Sequence, residues 1–250
     1  MSPLLELDDL HFCYPGGQEP ALRGASLRLR AGKKVVLLGR NGSGKTTLLL
    51  HGNGILRPTH GQICLGGQPV TYDRPGLQAW RRRVGLVFQN PDDQIFSASV
   101  FQDISFGPLN LGLDADEARS RVQQAAELCE LTELLERPTH ALSGGQKTRV
   151  ALAGVLAMEP DLLLADEVTS GLDPWMRRQV FAIFAQLVHR GKTVLLSTHD
   201  TAVARHWADI VVVMAAGRVV AADAPGQIFG DPVLRAEIEP ADPWYTPSIQ

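Results

Sequence analysis

The chain has 250 residues, 44% hydrophobic and 20% charged, which is the make-up of a globular domain with a real core and excludes a disordered or collagen-like chain. Its 24 Lys and Arg against 27 Asp and Glu leave a net charge of −3, which argues against non-specific nucleic-acid binding, since that needs clustered positive charge. No stretch approaches the ~18 apolar residues of a membrane helix. The best candidate, Ile210-Val211-Val212-Val213-Met214-Ala215-Ala216, has the length of a buried strand.

Met1 to Leu10 carries Glu6, Asp8 and Asp9 and lacks the basic-then-apolar pattern of a leader, so the chain is expected to stay in the cytoplasm and to meet a membrane only through partners. Leu5 and Leu7, then Leu27 and Leu29, alternate with polar residues as half-buried strands do, and Pro15-Gly16-Gly17 between them is a turn. Val35-Val36-Leu37-Leu38 is a continuous apolar run, predicted to be a strand buried on both faces. Gly39-Arg40-Asn41-Gly42-Ser43-Gly44-Lys45-Thr46 follows at once and opens a helix near Lys45. It fits G-x-x-x-x-G-K-[ST]. Glycines let successive amides turn toward phosphate oxygens, and the helix adds its positive N-terminal end. Lys45 supplies a charge for β- and γ-phosphates, and the Thr46 hydroxyl a ligand for Mg²⁺. Arg81-Arg82-Arg83 reads as a solvated helix end before Val84, with Trp80 packed on the subdomain surface.

Asp114 and Glu117 are spaced as a capping box, and Ala118, Val122, Ala125 and Cys129 share one helical face. The stretch from about 89 to 159 is predicted to be a helical subdomain inserted between strands. Within it, Leu142-Ser143-Gly144-Gly145-Gln146 sets a serine and two glycines before a helix, a second anion-binding terminus. Leu162 to Ala165 is a buried strand ending in Asp166, suited to organise Mg²⁺, and Glu167, suited to orient or deprotonate a water. Asp173-Pro174 caps a helix whose core face is Met176, Val180, Phe184 and Leu187 and which Gly191 stops. Val194 to Leu196 is the next buried strand, and Ile210–Met214 and Arg218–Ala221 flank Ala216-Gly217 as a hairpin. Alternating strands and helices give an α/β class with a mainly parallel central sheet. The tail, with Pro240, Pro243, Trp244, Tyr245 and Pro247, is expected to be extended or loosely held. Cys13, Cys64 and Cys129 lie far apart and are expected to stay reduced. The histidines (His11, His51, His60, His140, His189, His199 and His206) form no ligand spacing for a transition metal.

In this order, and up to about Ala222, the motifs resemble those of the ATP-binding-cassette (ABC) ATPases. The resemblance implies a P-loop NTPase fold of ABC type over residues 1–222. It would comprise an N-terminal antiparallel β subdomain, a mainly parallel central sheet and the α-helical insertion at about 89–159, with 223–250 as a short C-terminal extension. It implies that Tyr14 stacks on adenine and that Gly39, Asn41, Gly42, Ser43, Gly44, Lys45, Thr46 and Thr47 enclose the phosphates of ATP. Gln89 resembles the Q-loop glutamine, so that Thr46, Gln89 and Asp166 form the Mg²⁺ set. Glu167 and His199 resemble the catalytic carboxylate and the switch histidine. Ser143, Gly144, Gly145 and Gln146 resemble the signature that completes the nucleotide site of a facing subunit, and Ser170-Gly171-Leu172-Asp173 the D-loop across that dimer. Ala165 and Val168 stand where the family usually has Leu and Pro, and Thr148 where Gln is common. None of these removes a catalytic group, so turnover is expected to survive.

Gln89-Asn90-Pro91-Asp92-Asp93-Gln94-Ile95-Phe96 and the run from Leu142 to Gly154 resemble the ATPases of energy-coupling-factor importers, and Phe106 to Leu113 resembles their cobalt/nickel branch. The implied partners are a second ATPase subunit, most simply another copy of this chain, a membrane T component, and a metal-binding membrane S-type component that holds the ion specificity. Nucleic acid is not among them, and the implied location is the cytoplasmic face of the cell membrane. The implied cargo is Co²⁺ or Ni²⁺, with a vitamin importer as the alternative. A non-transport ABC protein fits less well, because such proteins generally carry two cassettes or a long coiled-coil insertion. A module that binds nucleotide without hydrolysing it is opposed by Glu167 and His199.

Overall fold

A computed structural model describes residues 3–239. Pro240, Pro243, Trp244, Tyr245 and Pro247 lie outside the described residues. β1 (Leu5–Phe12) and β2 (Leu22–Leu29) pair antiparallel with their alternate leucines turned inward. The turn between them is closed by Gly17 N–H donating to Tyr14 O at 2.9 Å. β4 (His60–Leu65) and β5 (Gln68–Pro69) complete a sheet of order β2-β1-β4-β5.

The second sheet holds β3 (Lys34–Leu38), β6 (Val84–Val87), β7 (Leu162–Asp166), β8 (Thr193–Ser197), β9 (Ile210–Ala215) and β10 (Arg218–Asp223), in the order β10-β9-β3-β8-β7-β6. Its pairings are parallel except that of β10, which returns on β9 through a hairpin. Ala216 and Gly217 take φ of 47° and 77° there, as a tight two-residue hairpin turn requires. The pleat of β3 divides the core. Val36 and Leu38 join the cluster under the helical insertion, while Val35 and Leu37 face the N-terminal sheet and α1 (Lys45–Gly52). A strand buried on both faces has no place for a polar residue, hence the unbroken apolar run.

α2 (Arg74–Arg83) leads into β6, and here the structure corrects the sequence reading. Trp80 is only 2% exposed and its Nε1–H donates to Gly52 O at 2.9 Å. Gly54 makes the room, since a Cβ there would stand 2.8 Å from the indole. The arginines beside it are not all free in water: Arg81 donates to Gly54 O at 2.9 Å and Arg83 to Asp161 at 3.0 Å.

Between β6 and β7 run α3 (Val100–Asn110), α4 (Ala115–Leu128) and α5 (Gly144–Leu156). Ala118, Val122, Ala125 and Cys129 are buried together, and burial pushes the Cys129 thiol up to about 12. Asp114 caps α4 through Glu117 N–H at 2.8 Å, but the Glu117 carboxylate turns to Arg121 at 3.6 Å, so only half of the expected box forms. α6 (Pro174–His189), α7 (Thr201–His206), α8 (Pro225–Gly230) and α9 (Pro232–Ile238) complete the chain order. Among the described residues no helix is long and apolar enough to cross a membrane, and no group of three or more His, Cys, Asp or Glu is placed to hold a metal ion.

Candidate active site

The loop after β3 is fixed by close approaches at two glycines. A Cβ on Gly39 would stand 2.4 Å from Met214 O and 2.6 Å from Ser43 Oγ. Gly44, with φ of 103°, precedes α1, and its Cβ would stand 2.8 Å from Ala21 O. Held this way, the loop delivers the unpaired amides of the first turn of α1 to its interior. Among the described residues Ser43 Oγ, buried there, has no hydrogen-bond partner. An unmet hydroxyl of this kind costs about 1–3 kcal/mol, and an anionic oxygen entering the loop would relieve it. Lys45 is 6% exposed, and its Nζ donates to Gly39 O at 2.8 Å and Arg40 O at 3.4 Å. Both acceptors are carbonyls of the loop itself.

Across from the loop, Asp166 ends β7 beside Ser197, the end of β8. Thr46 Oγ1 donates to Asp166 Oδ2 at 2.7 Å, and Ser197 Oγ donates to Asp166 Oδ1. The Thr46 and Asp166 pair offers hydroxyl and carboxylate oxygens, the donor chemistry Mg²⁺ takes, and so fits that ion. Glu167 follows with φ of 46°, a left-handed backbone that costs about 1–2 kcal/mol for an L-residue. Its N–H donates to Ser197 O at 3.1 Å, which helps fix that conformation. The Glu167 carboxylate then lies between Lys45 Nζ, 3.9 Å from Oε1, and His199 Nδ1, 3.3 Å from Oε2. The His199 side chain is otherwise largely exposed.

Tyr14 OH lies 3.2 Å from Thr47 Oγ1, and its ring stands edge-on to Phe12 at 5.0 Å. Its half-exposed face beside the loop is where a flat ring could stack. Below it His51 is fully buried, with Nδ1 2.7 Å from Thr47 O and its ring edge-on to Phe12 at 4.8 Å.

The structure thus gathers Tyr14, the residues from Gly39 to Thr47, Asp166, Glu167 and His199. Gln89 is exposed in the turn after β6, and Asn41 is exposed on the loop. Ser143 to Gln146 lie at the start of α5, where Ser143 and Gln146 close a reciprocal capping box at 2.9 and 3.3 Å. A Cβ on Gly145 would meet Met176 Cε at 2.2 Å, so that glycine lets α5 pack on α6, while Gly144 faces open space. Among the described residues no hydrogen bond joins Gln89 or Ser143 to Gln146 with the Lys45 loop. Sequence reasoning missed Ser197, which ties Asp166 to Glu167. Its one signal is its place at the end of a buried apolar strand.

The sequence model of the family described as ABC transporter matches residues 22–170. The cobalt import ATP-binding protein CbiO of Rhodobacter capsulatus is 47% identical over 237 residues, 95% of this chain and 84% of that one. The energy-coupling factor transporter ATP-binding protein EcfA of Methanocaldococcus jannaschii is 45% identical over 228 residues, 91% of this chain and 81% of that one. Among solved structures, cbiO1 from Clostridium perfringens, described as part of the ABC transporter complex cbiONQ, superposes with a TM-score of 0.82 at 40% identity over 92% of each chain.

Proposed function

The chain belongs to the ABC transporter family and is an ATPase of that family, and from that premise we propose that it powers an energy-coupling-factor importer of a divalent transition metal, Co²⁺ before Ni²⁺. The observation that carries the hydrolytic reading is one run of contacts, Thr46 to Asp166 to Ser197 to Glu167 to His199, with Lys45 alongside. In this reading Lys45 exchanges its bonds to Gly39 O and Arg40 O for the β- and γ-phosphates of ATP, the unpaired amides of the first turn of α1 donate to phosphate oxygens, and Tyr14 stacks on adenine. Thr46 and Asp166, joined by Gln89, would hold Mg²⁺, which when bound neutralises charge on the phosphate oxygens. Glu167 takes the proton of the attacking water, and His199 orients that attack along the line of the leaving oxygen. A second copy closes over the nucleotide with its own signature segment, the counterpart of Ser143 to Gln146, and hydrolysis reopens the pair.

A groove of about 720 Å³ between the core and the insertion, lined by Leu77, Leu86, Phe96, Phe106 and Met158, would seat a helix of the T component. Phe96 and Phe106 stand edge-on at 4.7 Å with exposed faces, suited to such an apolar partner. The chain would then act at the cytoplasmic face of the membrane, with ion specificity in the S-type membrane partner. The Rhodobacter relative, a cobalt import ATP-binding protein, and the Phe106 to Leu113 stretch support the metal cargo. A vitamin importer stands as a second reading, because the relative with the general energy-coupling-factor name is nearly as similar, 45% against 47%.

The test is to tag the chain in its host, purify it from detergent-solubilised membranes and identify its companions by mass spectrometry. A T-type protein with a small metal-binding membrane protein supports the metal importer. A vitamin-binding membrane protein keeps the ATPase and overturns the cargo. Soluble companions alone overturn the importer.

A further inference from the structure

We propose that Arg177 is a positioning residue for hydrolysis, holding the His199 loop in register through Asp200. The inference rests on the active-site reading above and adds to it a residue that acts through Asp200.

The two oxygens of Asp200 have different partners. Oδ1 accepts from Ala202 N–H at 2.8 Å and Val203 N–H at 3.2 Å, capping α7, and Oδ2 accepts from the Arg177 guanidinium. Asp200 N–H donates to Thr198 Oγ1 at 3.1 Å, and Thr198 is itself buried with its N–H on Leu37 O at 3.1 Å. His199 therefore sits between two pinned neighbours, while among the described residues its own side chain has one partner, Glu167. Arg177 comes from the first turn of α6, whose start is fixed by Asp173 Oδ1 accepting from Trp175 and Met176 N–H at 2.8 and 2.9 Å. The loop before Asp173 is tied back by Ser170 N–H donating to Glu167 O at 2.9 Å.

These links close a ring. It runs from Glu167 along the chain to Asp173 and Arg177, crosses to Asp200, steps back to His199 and returns to the Glu167 carboxylate. Among its bonds, the Arg177 to Asp200 pair is the crossing point between α6 and the His199 loop. Burial works to raise the Asp200 carboxyl, but the bonds from Arg177 and the cap amides hold it below the ordinary carboxylate range, so the pair stays charged at neutral pH. Both side chains are about a third exposed, 36% and 28%, so the pair adds little to folding stability. Its effect lies in geometry. With the bond in place, a displacement of the His199 backbone has to carry Asp200 and strain its link to α6, and a shift of the 170–173 loop is passed toward His199 by the same link.

The experiment measures phosphate release by the full-length chain in the complex purified from its host membrane, over a range of ATP concentrations. Arg177→Met should lower kcat roughly tenfold with KM for ATP within about twofold, as expected for lost positioning. Arg177→Lys, which keeps the charge, should recover most of the loss. Asp200→Asn keeps the cap on α7, so it tests the link even where Arg177→Met folds poorly, and it should match Arg177→Met. The double variant should be no slower than either single one, because both remove the same bond. A kcat for Asp200→Asn within about twofold of wild type, losses that multiply in the double variant, or a loss carried by KM overturns the proposal. Glu167→Gln separates the two levels: if it turns over normally the active-site reading fails, and this inference with it. If Glu167→Gln is inactive while Arg177→Met and Asp200→Asn are normal, this inference alone fails.

Discussion

Alanine at Gly44 tests whether the loop after β3 is shaped by a contact as well as by its dihedral angles. An added methyl would stand 2.8 Å from Ala21 O, 3.2 Å from Met214 Cε and 3.3 Å from Leu22 Cδ2, on a backbone with φ of 103°. Gly42 is the control, with φ of 79° and none of the described residues within 4 Å of the new atom. The left-handed backbone alone costs an L-residue about 1–2 kcal/mol. For a chain of this size Gly42→Ala should therefore melt roughly 2–8 °C below wild type. Gly44→Ala adds overpacking against a carbonyl, about 1–3 kcal/mol more. The strain is relieved only by moving the loop or the start of β2, and the first turn of α1 moves with the loop. ATP affinity should then fall more than about tenfold, or about 1.4 kcal/mol, in Gly44→Ala and clearly less in Gly42→Ala. Thermal melts and a calorimetric titration with a non-hydrolysable ATP analogue check both. If the two variants melt and bind alike, the approach to Ala21 does not shape the site.

Other outcomes follow from the same geometry. Glu167→Gln keeps its hydrogen-bonding reach but cannot take a proton. Phosphate release should fall about 10²-fold or more while ATP still binds and traps a dimer on gel filtration; near-normal turnover would remove Glu167 as the base. Tyr14→Ala should raise KM for ATP about three- to tenfold at nearly unchanged kcat, and an unaltered affinity dismisses stacking on adenine. Burial holds the His51 imidazole below its ordinary value of 6.5, against the opposing bond to Thr47 O. The unfolded chain takes up the proton first, so the stability present at neutral pH is lost as pH falls below 6.5. Denaturant melts from about pH 8 to about pH 5 should show wild type losing more than His51→Asn. Parallel curves would refute a neutral buried imidazole.

What the sequence made legible was local. The β3 run, the glycine loop and α1 are read together because each element forces the next. The Asp173 cap, the helical face from Met176 to Leu187 and the Ala216-Gly217 hairpin are read for the same reason. Long-range packing was not legible. Trp80 beside three arginines looks like a surface residue until Gly54, far upstream in the chain, is seen to leave space for its ring. Glu117 looks like half of a capping box until Arg121 competes for it. At the site, the motifs marked Lys45, Thr46, Asp166, Glu167 and His199, but no spacing reveals Ser197 or Arg177, whose roles depend on which strands and helices become neighbours. Gln89 and Ser143 to Gln146 are equally plain as motifs, yet they belong to surfaces this chain presents outward and does not join to the loop by itself.

The strand order also bears on how such a chain can change over generations. The excursion that carries α3, α4 and α5 leaves from β6 and rejoins at β7, side by side at one edge of the sheet. The loop after β3 and the ends of β7 and β8 lie inward of that edge. Insertions, deletions and resurfacing can therefore accumulate on the exposed parts of that excursion, outside Gln89 and Ser143 to Gln146, while the inner strands keep their register. Descent can thus remodel the outward faces of α3 and α4 and leave the Lys45 loop and the ends of β7 and β8 as they are, provided that Gln89 and Ser143 to Gln146 are kept.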